Sequence, residues 1–458
     1  MCKAPDLSGE KVSYPGSMPA QASAPTVRKP TFRQTLRRET NRGLGMLLFL
    51  NFALCWAVPI AGMGQAFHLG LKHLFTPPYD WLDRSPTFRA FATKYIYSKP
   101  QYADFAASAA WTLLSVSSCF AGMIYWQLKH GSLPLWLCFA YNCTWVGCGG
   151  RVMGAAYTFA HKEGHNAMIY QRWIRKSVGN IFENWVGVLF GNVPWNFTTS
   201  HMHLHHALDG GKGDSFYQWD LDRSSSWDFL LFNTRIFNHM VGLSSLERFH
   251  KLGYQKQFHQ LRNGMAIFWL LVPAALYAIT RSAFFLLVIW LQPLLAMTSF
   301  LAIVNWGFHA FILLDQNGEH VPCVNSLTII DGQDDYFGED DHMAHHYSPQ
   351  TWYTKVHEFQ ERMHADIVKH HGSVFKKISI VELGILVILN QFERIAELHY
   401  VDHSGTLSTQ QAADMLRARA RHKEMEYDDY LDWLHTFGPR SDRRLHRDED
   451  DSAHAKAN

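Results

Sequence analysis

Five apolar runs, at about 44–64, 106–128, 134–160, 264–280 and 284–304, restrict the folds open to this 458-residue chain more than any other feature. A helix needs about 20 predominantly apolar residues to cross a bilayer. The run AASAAWTLLSVSSCFAGMIYWQL is separated from PLWLCFAYNCTWVGCGGRVMGAAYTFA only by KHGSL, which predicts a helical hairpin. GMAIFWLLVPAALYAIT and FFLLVIWLQPLLAMTSFLAIV, joined by RSA, predict a second. Two such hairpins place residues 161–263 and everything after 305 on one side of the membrane. The first run is interrupted by Asn51 and Pro59, which favours a re-entrant or in-plane segment at 44–64. The basic stretch RKPTFRQTLRRETNR (28–42) before it reads as a cytosolic collar.

Composition agrees with a membrane setting. Aromatic residues make up 14% of the chain, as suits a bilayer interface. The formal charge of +2 gives no field that points to nucleic acid. The seven cysteines lie mostly inside apolar runs without paired spacing, which argues against a disulfide framework or a cysteine–zinc site.

Polar residues concentrate where the hairpins end. After the first comes HKEGH, with His161 and His165 four apart and on one face of a helix. HMHLHH follows, with His201, His203, His205 and His206. After the second hairpin comes HMAHH, with His342, His345 and His346, and the end of the fifth run carries NWGFH, pairing Asn305 with His309. Nine imidazoles (His161, His165, His201, His205, His206, His309, His342, His345, His346) exceed the four ligands of tetrahedral zinc. They suit two metals, and the imidazole donor set is compatible with iron, copper, zinc or nickel. Glu163, Asp340 and Asp341 read either as acids that orient the rings from behind or as solvated loop charges, and His203 reads as a supporting or substitute ligand.

The ordered set HKEGH, HMHLHH and HMAHH resembles the three histidine boxes of the membrane fatty acyl desaturase and hydroxylase family, over about residues 106–372. Asn305 and His309 resemble the Asn-x3-His pair of acyl-CoA desaturases, in which the His binds metal and the Asn acts through a water. Asp214 and Pro349 also stand where many members carry such residues. The resemblance implies a di-iron centre that uses O2 to abstract hydrogen from an alkyl chain in an all-α membrane protein. Two transmembrane hairpins would lie beneath a cytosolic helical cap that holds the metals. It further implies an apolar channel between the hairpins and a lipid acyl substrate. The chain has no His-Pro-Gly-Gly haem motif, so electrons would come from a separate carrier, cytochrome b5 or ferredoxin. The expected location is the endoplasmic reticulum with the site facing the cytosol, a plastid membrane remaining open. A hydroxylase on the same scaffold is the chemical alternative; a zinc-dependent membrane hydrolase or a metal transporter is the alternative of another class.

The expected organisation is a basic N-terminal tail (1–43), a membrane desaturase-like domain (44–378), a helix-loop-helix module (379–437) and a disordered charged tail (438–458). Within the module, FERIAELHYVDHSGTLSTQQAADML resembles an EF-hand. With Gly405 at the sixth loop position, Asp402, Ser404 and Ser408 take positions three, five and nine. Tyr400 at position one and Gln411 at position twelve depart from the pattern, since an EF-hand needs acidic ligands there, so calcium binding is expected to be weak or absent.

Overall fold

The computed structural model describes residues 30–147, 151–166, 168–333 and 335–438. The sequence's charged tail and the first part of its N-terminal tail lie outside these residues. Among the described residues four helical runs are long and apolar enough to cross a membrane: α1 (Phe32–Asp83), α2 (Pro100–His130), α8 (Gln255–Thr280) and α9 (Ala283–Phe308). Between them lie α3 (Leu135–Val146), α4 (Arg151–His165), α5 (Phe197–His205), α6 (Ser226–Met240) and α7 (Leu243–Leu252). After α9 come α10 (His342–Tyr347), α11 (Ile380–Ile388), α12 (Phe392–Leu398), α13 (Thr409–Arg421) and α14 (Tyr427–Thr436). The all-α membrane architecture expected from the sequence is the one observed.

The second hairpin has the expected form, with Arg281 at φ 51° turning α8 into α9. The second arm of the first hairpin differs. It stops at Gly147, whose φ of 73° and ψ of 165° end α3, and α4 starts afresh at Arg151. Twelve helical residues rise about 18 Å, short of the ~30 Å hydrocarbon core. Gly147 ends the run that apolar content alone had joined.

Asn51 and Pro59 do not interrupt the first run either. Pro59 sits in the first turn of a helical segment, where its missing N–H costs little, and the helix bends instead at Gly70. Length and composition therefore permit α1 to cross. Its two ends nevertheless both meet elements on the histidine side. Asn41 donates to Tyr427 of α14, and Tyr79 bonds Ser108 at the start of α2.

Two devices place the site. A two-stranded parallel ribbon, β1 (Thr328–Ile330) with β2 (Val374–Lys376), closes the loop that carries α10. Within that loop, Ile329 N–H donates to Asp340 O and Met343 N–H to Leu327 O, which fixes the rotation of α10. On the other side α11 packs along α9 through glycine. A Cβ on Gly384 would lie 2.6 Å from Ile303 O, so only glycine permits this approach without displacement. The stretch 379–437 is thus tied into the main core through Leu383, Phe392, Ile395 and Leu416, while Tyr430 packs against Tyr217 in a smaller second cluster.

Candidate metal centre

The histidines reach one region from four elements. His161 and His165 stand one turn apart on α4, both buried. α5 has i→i+5 hydrogen bonding, and His206 N–H donates to His201 O. In an α-helix a residue five positions on is rotated by about 140°. The wider π turn brings His206 back beside His201, with their Nε2 atoms 3.0 Å apart. His309 terminates α9, and its Nδ1 meets the Asn325 carbonyl at 3.0 Å. α10 supplies His342, His345 and His346.

The nine side chains fall into two groups, and within each group the ligand atoms all lie within 4.8 Å of one another. The first holds His161, His165, His201, His206 and His345; the second holds His205, His309, His342 and His346. The second and third boxes each contribute to both groups, so one pair of short helices ties the sites together. The rings of His205 and His346 have centroids 4.8 Å apart, as do those of His206 and His345.

The nitrogens point at one another in a way that hydrogen bonding does not satisfy. His161 turns its Nδ1 to Glu339 at 2.8 Å, and its Nε2 faces His201 Nε2 at 2.8 Å and His165 Nε2 at 2.9 Å. His346 turns its Nδ1 to Asp209 at 2.8 Å and faces His342 Nε2 at 3.1 Å. An imidazole that donates through Nδ1 presents a lone pair at Nε2. His201 Nε2 meets the Nε2 atoms of His161, His165 and His206, yet one ring nitrogen carries either a single proton or a single lone pair and can pair with only one of them. His205 Nε2 and His345 Nε2 are buried with no hydrogen-bond partner. A cation at the focus of each group satisfies all of these lone pairs. Nitrogens about 2.1 Å from a shared ion at right angles lie about 3 Å apart, matching the observed 2.8–3.2 Å.

Burial pushes the pKa of His161, His165, His201, His206, His309, His342, His345 and His346 downward, which keeps these rings neutral and able to ligate. Three carboxylates stand behind them. Burial would raise Glu339, but His161 and Lys162 outweigh it and hold the carboxyl at about 2. Lys162 Nζ lies 2.9 Å from Glu339. Asp214 Oδ2 takes His205 Nδ1 at 2.7 Å, and both carboxyls on the second group, Asp214 and Asp209, are held below their ordinary value against the opposing effect of burial. Such partners fix ring orientation and tautomer.

These acids are largely not the ones expected from the sequence. Glu163 faces away from the rings and accepts from Tyr170 Oη, Phe182 N–H and Glu183 N–H, so it anchors the 181–183 backbone. Burial pushes its carboxyl up to about 8. Asp341 accepts His345 N–H through its main-chain carbonyl, preceding α10 rather than touching a ring. His203 is exposed and belongs to neither group. Asn305 is buried near His309, but its amide donates to Leu301 O in its own helix. Glu339 sits in GEDDH, one residue before the acids chosen from the sequence, and Asp209 follows the second box by three. Acidic character signalled both, but which carboxylate faces a ring depends on the loop path.

Beside the first group lies an apolar cavity of about 20 Å³ lined by Ala156, Tyr157, Ala160, Phe197, Met297 and Leu301, among others. Ala160 directly precedes His161, and the Phe197 ring stands 5.9 Å from that of His161.

The EF-like loop is a helix-loop-helix between α12 and α13, closed on itself. Asp402 accepts from the N–H groups of Ser404, Thr406 and Leu407 at 2.8–3.0 Å. Ser408 caps α13 through Gln411 N–H, and Tyr400 joins Phe375 in a backbone bridge. These hydrogen bonds close the turn within the chain itself.

A sequence model of the fatty acid desaturase family matches residues 132–378, which contain all nine histidines. No curated protein and no solved structure matches the chain. With just over half of its length matched and two histidine groups able to hold metal ions, the chain belongs to the fatty acid desaturase family.

Proposed function

We propose that this protein is an O2-dependent desaturase that inserts a double bond into the acyl chain of a lipid or of acyl-CoA at a di-iron centre. The single observation that carries this reading is the division of nine imidazoles, seven of them buried and two partly buried, into groups of five and four whose ring nitrogens converge. In this reading His161, His165, His201, His206 and His345 hold one iron, and His205, His309, His342 and His346 the other. Asn305 contributes through a water at the four-histidine site. Two irons so held supply the redox chemistry that no side chain can. The balance is one CH2–CH2 unit, one O2, two electrons and two protons consumed; one CH=CH unit and two waters formed. The electrons come from an external carrier, cytochrome b5 or ferredoxin.

The chain's own residues set the conditions. Glu339, Asp214 and Asp209 hold three rings in the ligating orientation. The apolar cavity beside His161 holds part of the alkyl chain and keeps water away from it. The protein belongs to the endoplasmic reticulum membrane with its centre facing the cytosol, or to the corresponding face of a plastid membrane.

The test is a lipid profile by gas chromatography and mass spectrometry in yeast expressing the chain, derivatised for both double bonds and hydroxyls. A new unsaturated species that disappears with His345→Ala supports the proposal. A hydroxylated species in its place assigns the hydroxylase outcome and refutes desaturation.

A further inference from the structure

A second cavity, of about 300 Å³, opens between α6, α7 and α14. It is lined on one side by Arg235 and Asn238 of α6, on another by Ser244, Glu247, Arg248 and Lys251 of α7, and on a third by residues of α14 such as Leu434. The cations differ in their commitments. Arg235 forms a two-pronged pair with Asp220, both contacts at 2.8 Å. Lys251 donates to Leu434 O at 2.8 Å and pairs with Glu247 at 2.7 Å.

Arg248 has no such partner. It is 5% exposed, yet no carboxylate lies within ion-pair distance among the described residues. Its one hydrogen bond is a long one, 3.4 Å, to Ser215 Oγ, and its Nε is buried and unsatisfied. Asp214, next to Ser215 in sequence, feels the charge of Arg248 but makes its contact with His205 instead, at 2.7 Å. Burying a guanidinium without an anion in contact is costly, and a buried cation facing a cavity is suited to an anionic ligand.

Two independent features point the same way. Ser244 Oγ lines the cavity and is also buried without a partner. α7 begins at Leu243 behind Gly242, at φ 86°, with no side chain capping its first-turn N–H groups. A helix start left open next to an unpaired arginine is suited to an oxyanion. Ser244, Arg248 and Lys251 stand at i, i+4 and i+7 on one face of α7.

We propose that this cavity is a phosphate site, centred on Arg248 with Ser244 and the α7 N-terminus, that takes the phosphate group of the acyl carrier. The identification of the ligand as the substrate's carrier rests on the desaturase reading above; the anion site does not. The phosphate could belong to a nucleotide thioester such as acyl-CoA or to a phospholipid headgroup, and the two are separable by experiment. Through Ser215, the site lies two residues from the Asp214–His205 pair, so it would hold the polar end of a substrate close to the metals.

The test is calorimetric titration of the full-length, metal-loaded protein in detergent with coenzyme A, dihexanoyl phosphatidic acid and inorganic phosphate. Either organic phosphate should bind at least tenfold more tightly than inorganic phosphate, and the tighter one names the carrier. Arg248→Gln should weaken it about 10- to 100-fold, the loss of a charge-assisted contact. Ser244→Asp serves as the second variant. An acidic residue in the first turn of a helix favours folding but repels an anion, so it too should weaken binding. Absence of binding by all three compounds, or unchanged affinity in both variants, overturns the site. Binding of inorganic phosphate alone overturns its assignment to the carrier. A failed lipid profile with intact phosphate binding would count against the desaturase reading and not against this site.

Discussion

Replacing Glu339 by glutamine tests the support of the metal centre with little change of shape. The carboxylate lies 2.8 Å from His161 Nδ1 and 2.9 Å from Lys162 Nζ, and all three side chains are largely shielded from water. Glutamine keeps the volume but removes the charge, leaving Lys162 buried and unpaired. Removing one partner of a buried pair costs about 3–5 kcal/mol. Loss of the partner behind a ligating histidine lowers metal affinity about 10- to 100-fold. The two effects separate in a cycle with Lys162→Met. The double variant should recover most of the thermal stability lost by Glu339→Gln, because no charge is left stranded, but should not recover metal affinity. The assay is thermal unfolding together with metal retained per chain after dialysis against graded chelator. Wild-type retention and an unchanged midpoint in Glu339→Gln would refute the role assigned to this carboxylate.

Other consequences are equally open to measurement. Asp402, held at about 2 by its loop's N–H groups and His371 despite the opposing effect of burial, stabilises the protein above its ordinary pKa. That contribution is lost as pH falls from about 4 towards 2, so the midpoint difference between wild type and Asp402→Asn should be full at pH 6 and shrink across that window. A Cβ at Gly45 would lie 2.0 Å from Leu230 O, so Gly45→Ala must push α1 off α6; a loss of about 1–3 kcal/mol is expected by thermal unfolding, and an unchanged midpoint would contradict this packing. Ala156→Leu fills the small cavity beside the five-histidine group and should shift the product profile towards shorter acyl chains, while leaving metal content intact.

The histidines of the two groups were legible because helical spacing is local. Pairs at i+3 and i+4 in HKEGH and HMAHH declare a shared face without knowledge of the fold, and the second hairpin was declared by length and a three-residue turn. What the sequence hid is long-range. His161 and Glu339 are 178 residues apart, and nothing local states that Glu339, rather than Asp340 or Asp341, turns inward. Glu163 sits between His161 and His165 on the same helix yet faces away from them, toward Tyr170. The broken arm of the first hairpin was hidden for another reason: apolar counting ran through GCGG, where Gly147 takes a positive φ that ends the helix.

The measurement that tests the account most directly is the iron content of the purified chain, compared with that of His345→Ala and His342→Ala. The account predicts two irons per wild-type chain, one lost preferentially with each variant, because His345 belongs to the five-histidine group and His342 to the four-histidine group. A single metal per chain, or two that neither substitution disturbs, would contradict it.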